Sequence, residues 1–167
     1  QDADIPARVD GGDFALDEGV RLYVWPGNTF DSGSGQVSFE DIVIEGVYQA
    51  AGAQTISVNG SWDASGGVFL AANSNVFLTA TSAGHFIRTN GSPFHALTIN
   101  GAGGVWTIYG HASSTATTTI MAGTLVQGGN YNLEVRSLTI AEGANFTKAS
   151  GTGLFIFESP EDGFFED

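Results

Sequence analysis

Apolar and polar residues alternate along this chain in short runs, and three of the runs repeat one phrase. It reads TISVNG over 55–60, LTING over 97–101 and SLTIAEG over 137–143. Val58, Ile99 and Ile140 hold the same place in it, 41 residues apart both times. Each copy sets a hydroxyl residue between two apolar ones, ahead of a turn with glycine. The alternation has period two, so it predicts a strand with the apolar pair inward and the hydroxyl outward.

A shorter period lies inside the long one. Ser38, Ser57, Thr79, Thr98, Thr119 and Thr139 each adjoin apolar residues, at steps of 19, 22, 19, 21 and 20. Two such steps make one phrase repeat. One turn of this kind cannot bury its apolar residues alone, but stacked turns pair their backbones and close a common core. The expected fold is all-β: a single-domain β-solenoid, or parallel β-helix, with coils of about 20 residues. It would span 13–157, between an N-terminal arm at 1–12 and an acidic C-terminal tail at 158–167. Seven or eight coils fit, for a stack roughly 35 Å tall. Gly46, Gly60, Gly101, Gly110, Gly123 and Gly143 fall where corners are due. A β-sandwich also has short strands and glycine turns, but its strands recur every 8–12 residues without so regular an echo.

Composition supports strands: Val, Ile, Thr, Phe and Tyr fill the apolar runs, and no long apolar stripe of helical period occurs. The net charge of −13 is unevenly spread. Residues 1–45 hold ten of the 18 acids and the last ten residues hold five, leaving Asp63, Glu134 and Glu142 between them. Only five residues are Lys or Arg, so nucleic acid and anionic membrane surfaces are poor partners. No apolar run is long enough for a membrane-spanning helix, so no membrane insertion is expected. The absence of cysteine excludes disulfides and zinc–thiolate sites. The chain starts at Gln1, as a secreted chain would after loss of its signal. With a neutral, lysine-poor body, that points to an extracellular or cell-surface location.

Candidate chemistry is sparse. Asp63 has Ala83 about one coil later, so carboxylates do not stack there. Asp10 and Asp31, and Glu18 and Glu40, are each about one coil apart and would be the place for calcium. Solvated turn carboxylates are the plainer reading, and no cofactor is expected. His85, His95 and His111 do not follow the coil spacing and should sit apart. The run SSTATTT at 113–119 suggests an ice-binding threonine surface, but such surfaces need two parallel hydroxyl files and the pattern shows one. Trp25, Trp62 and Trp106, with Tyr23, Tyr48 and Tyr109, could stack on glycans or fill the core. Asn59, Asn90 and Asn145 open N-x-S/T sequons and are possible glycosylation sites. No catalytic motif emerges, and no enzyme is expected.

The pieces Asn100-Gly101, Gly104 to Trp106, Gly123 to Leu125 and Gly143 to Phe146 recur within 54–157. This run resembles the repeats of bacterial and archaeal cell-surface β-solenoid proteins. The resemblance implies a parallel β-helix or related solenoid, with a role in surface structure, adhesion or extracellular fibres. A solenoid's end coils expose unpaired backbone, and no amphipathic capping helix is visible here. Head-to-tail stacking would close both ends and give an open filament. The expected role is therefore a homopolymer: a structural subunit of an extracellular filament or surface appendage. Ile5 and Val9 in the arm, and Phe164 and Phe165 in the tail, are the expected interface residues. The alternatives are a monomeric adhesin or carbohydrate-binding module, then a polysaccharide-active β-helix enzyme.

Overall fold

A computed structural model describes residues 14–15 and 20–158. Among these residues there is no helix. Short parallel strands stack in three ladders to form a β-solenoid of about six turns, with coils about 21 residues apart. The arm, most of the tail, Asp10 and Glu18 lie outside the described residues, as do Ile5, Val9, Phe164 and Phe165.

The first ladder runs through Phe14–Ala15, Val37–Phe39, Thr55–Val58, Asn75–Leu78, the first part of Ala96–Ile108, the first part of Thr118–Gln127, and Leu138–Ile140. The second runs through Leu22–Val24, Ile42–Ile44, Trp62–Asp63, Ala83–Arg88, the later parts of the two long strands, and Asn145–Lys148. Inward residues lie directly above one another. Phe39, Val58, Leu78, Ile99, Ile120 and Ile140 form one such column.

The hydroxyl file needs one correction. Ser57 pairs with Phe77, and Phe77 with Thr98, so Thr79 is not a member. The steps from Ser38 to Thr139 become 19, 20, 21, 21 and 20. Thr79 lies two positions on and its hydroxyl donates to the Val58 carbonyl at 3.3 Å. The same stretch displaces the neighbour of Asp63. Its register partner is Arg88 and not Ala83, and the two side chains form an ion pair at 3.4 Å. The coil between them is lengthened, with a bulge between Ala83 and His85 and Gly84 at φ +101°.

The third ladder is broken into two three-stranded pieces. Thr29–Asp31, Val47–Gln49 and Val68–Leu70 form the lower one, and Ala112–Ser114, Leu133–Val135 and Phe155–Phe157 the upper. Below the break each strand sends one aromatic inward: Phe30, Tyr48 and Phe69. Above it each sends two smaller or mixed residues, such as Leu133 and Val135. The coil between has no regular strand in this ladder. There Ser92 takes over a ladder bond, its Oγ accepting from the Phe69 amide at 3.1 Å, and Phe94 bridges to Ser114.

The lower core is aromatic. Phe30, Tyr48, Phe69 and Phe94 stack with centroids 5.2–6.0 Å apart, and Trp62 packs at 4.7 Å on Phe69 and 5.2 Å on Phe94. Trp106 reaches back over the bulged coil, where its indole N–H donates to the Gly60 carbonyl at 2.9 Å. Glycine is required beside it: a Cβ on Gly104 would stand 2.6 Å from the indole ring and collide with the Ala80 carbonyl. This is the physical reason for the Gly104-x-Trp106 spacing.

Candidate functional site: the open C-terminal end

The apolar columns do not stop where their cover stops. In the Phe39–Ile140 column every member up to Ile120 is 0–2% exposed, yet Ile140 is 45% exposed. Leu138 and Phe146 crown neighbouring columns and are only half-buried. Phe155 and Phe157 crown the third ladder, and Phe157 is 61% exposed. Phe155 lies 5.1 Å from Phe146 and 5.0 Å from Phe157, centroid to centroid, so the rings make one continuous plate. The strands Leu138–Ile140, Asn145–Lys148 and Phe155–Phe157 each pair on one side only among the described residues. The end thus offers an apolar plate framed by unpaired strand edges, the arrangement that templates further pairing. At the opposite end Val24 and Phe30 of the first described coil are buried.

Charge distinguishes this end as well. Of the described Lys and Arg residues, Arg21 pairs with Asp41 at 3.3 Å and Arg88 with Asp63. Arg136, two residues before Leu138–Ile140, and Lys148, the last residue of Asn145–Lys148, have no acid partner among the described residues. Lys148 Nζ donates to the Gly151 carbonyl at 3.1 Å.

A second surface lies on the first coil. Trp25 is 64% exposed, the only exposed tryptophan of the three. It opens a turn of Trp25-Pro26-Gly27-Asn28, with Gly27 at φ +80° and the Asn28 amide donating to the Trp25 carbonyl at 3.1 Å. Tyr23 lies beside it, centroids 4.7 Å apart. A hydrogen bond from the Tyr23 hydroxyl to Glu45 raises the phenol above its usual range. Trp62, Trp106 and Tyr48 are core residues, so the aromatic set divides between surface and interior.

The remaining candidates stay apart. Asp31 accepts from the Gly33 amide, and Glu40 from the Asn59 side chain at 3.0 Å. His85 contacts Ser82, His95 approaches Thr115, and His111 accepts from the Asn132 amide. Among the described residues no three His, Cys, Asp or Glu side chains gather as a metal site. In the 113–119 run Ser114 and Thr118 are buried and bonded to each other at 2.7 Å, so the run is not an exposed threonine surface. The sequons also differ. All three asparagines are exposed, but Asn59 and Asn90 each hydrogen-bond to the coil below, while Asn145 lines a cleft of about 320 Å³ beside Gly103, Gly123 and Glu142. The open end itself had only one sequence signal, the apolar residues Leu138, Ile140 and Phe155 in the last repeat. Their exposure depends on stacking order, which no local pattern reports.

Compared with known proteins, the chain matches no family model, no curated protein and no solved structure.

Proposed function

We propose that this protein is a structural subunit that self-assembles head to tail into an extracellular filament or surface appendage. The observation that carries the reading is the open C-terminal end, where buried columns run out into an exposed plate of Ile140, Phe155 and Phe157. A second copy placed with its first coil on this plate continues the ladders and the core together. The interface is heterologous, so repetition gives an open fibre. The neutral, Gly/Ser/Thr-rich and lysine-poor body supports a location outside the cell. The expected interface residues Ile5, Val9, Phe164 and Phe165 precede and follow the described residues in the sequence, and their contact with neighbouring copies is part of this proposal.

Sedimentation velocity with negative-stain imaging of the purified chain tests this. Fibres whose formation is abolished by Phe157→Asp are expected. A wild-type chain that stays monomeric at high micromolar concentration would defeat the reading. In that case the Trp25–Tyr23 surface supports the second reading, a monomeric adhesin or carbohydrate-binding module, since exposed aromatic faces stack on sugar rings.

A further inference from the structure

We propose that the outer face of the second ladder binds an uncharged polysaccharide chain lying along the solenoid axis, between one aromatic platform at Tyr23 and Trp25 and another at Tyr109. Among the described residues four aromatic side chains are exposed, and all but Phe157 of the open end stand on this face. Register aligns them. Tyr23 pairs with Val43, Val43 with Asp63 and Asp63 with Arg88, and Tyr109 directly follows Ile108, the partner of Ile87. The two platforms are therefore four coil steps apart, roughly 20 Å at one strand spacing per step. The row lies on the side of the solenoid, so a single copy and a head-to-tail stack present it alike.

The face is fixed before anything binds. Trp25 is set by the Pro26-Gly27 turn and by its contact with Tyr23, whose hydroxyl donates to Glu45. At the other platform the Arg88 guanidinium carbon lies 5.9 Å from the Tyr109 centroid and 4.6 Å from that of Phe86, and Asp63 holds it by the 3.4 Å ion pair. Asp63 in turn accepts from the Ser65 amide at 3.1 Å and the Ser65 hydroxyl at 2.6 Å. Rings and ions already held in place lower the entropic cost of capture. The occupant follows from what lies between the rings. No dry apolar centre of the kind a protein interface needs is found there; Glu45, Asp63 and Arg88 supply acceptors and donors instead. A partner must offer apolar faces to the rings, hydroxyls to the ions and enough length for both platforms, as a polysaccharide does. Two acids against one cation in this row, on a chain of net charge −13, disfavour an anionic chain.

Calorimetry and tryptophan fluorescence with cellohexaose, xylohexaose, mannohexaose and chitohexaose test this, with hexagalacturonate as the anionic probe. At least one uncharged hexasaccharide is expected to bind and to shift the emission of Trp25, the exposed tryptophan. Hexagalacturonate is expected not to bind. Trp25→Ala and Tyr109→Ala are each expected to weaken the hexasaccharide roughly threefold to tenfold. The disaccharide of the same sugar is too short to reach both platforms and should lose affinity through one of the two changes at most. Both substitutions are on the surface, and circular dichroism checks the fold. If no uncharged probe binds, or if binding survives the two substitutions combined, the proposal is overturned. Equal binding of hexagalacturonate overturns the choice of an uncharged chain. If sugars fail to bind and the double variant loses association between copies, the face is a copy-to-copy contact and the glycan site is overturned. Sedimentation of the same variants is expected to match wild type, because both ends are untouched, so head-to-tail assembly stands or falls separately.

Discussion

Tyr48 shows how much a single position in this core decides. It is fully buried among Phe30, Trp62 and Phe69, and its hydroxyl has no hydrogen-bond partner. Burial pushes the phenol far above its usual range, and the nearby Ser32 side chain offsets only part of that. Ser32 itself donates to Gln54 Oε1 at 2.6 Å. The linkage sign follows from the raised value. Below pH about 10 both folded and unfolded phenols are protonated and stability is unaffected. Above it the unfolded chain loses its proton first, so stability falls by about 1.4 kcal/mol per pH unit until the folded phenol also ionises. Tyr48→Phe is expected to remove this alkaline loss and to raise stability near neutrality by about 1 kcal/mol, because it deletes an unsatisfied buried hydroxyl. Denaturant melts of both chains at pH 8 and pH 11 check it, and equal alkaline losses would refute the assignment. The same scale shows where sequence reading went astray. Thr79 satisfies the pattern of a hydroxyl beside an apolar residue as well as Phe77 violates it, yet backbone register puts Phe77 in the file. Phe77 and Thr79 lie two residues apart and both point away from the core, so period-two alternation alone cannot tell which of them belongs to the file.

At the level of the strand, the break in the third ladder is the least regular part of the molecule. The Asn90-Gly91-Ser92 stretch replaces a strand there, with Asn90 Nδ2 donating to the Gly67 carbonyl and Ser92 Oγ accepting from the Phe69 amide. The residues of this sequon thus also form a structural bridge, with Asn90 itself exposed. Ser92→Ala is expected to cost about 1–3 kcal/mol, because it leaves the Phe69 amide buried and unpaired. Thermal or chemical melts measure this, and a variant as stable as wild type would show that the bridge contributes nothing. The first ladder was legible because the phrase at 55–60, 97–101 and 137–143 lies on it throughout. The third was not. Its strands are three residues long, switch from one inward residue to two, and carry no repeated phrase.

The whole molecule follows from stacking: coil length set by register, core set by columns, and an end where the columns are left open. The solenoid and its coil spacing were readable from periodicity, although about six turns replace the seven or eight that chain length suggested. The acidic arm was readable as a charge imbalance. The position of Lys148 was not, because in the sequence it looks like any surface lysine; only the ladder places it above Gln127. If copies join by continuing the ladders, the fibre axis and the solenoid axis coincide. Fibre diffraction or helical image analysis of the assembled chain reads this directly. Such fibres should give a reflection at about 4.8 Å along the fibre axis and a subunit repeat of roughly 30 Å, about six turns at one strand spacing each. Fibres with the 4.8 Å spacing perpendicular to the axis, or a chain that forms no fibres, would contradict it.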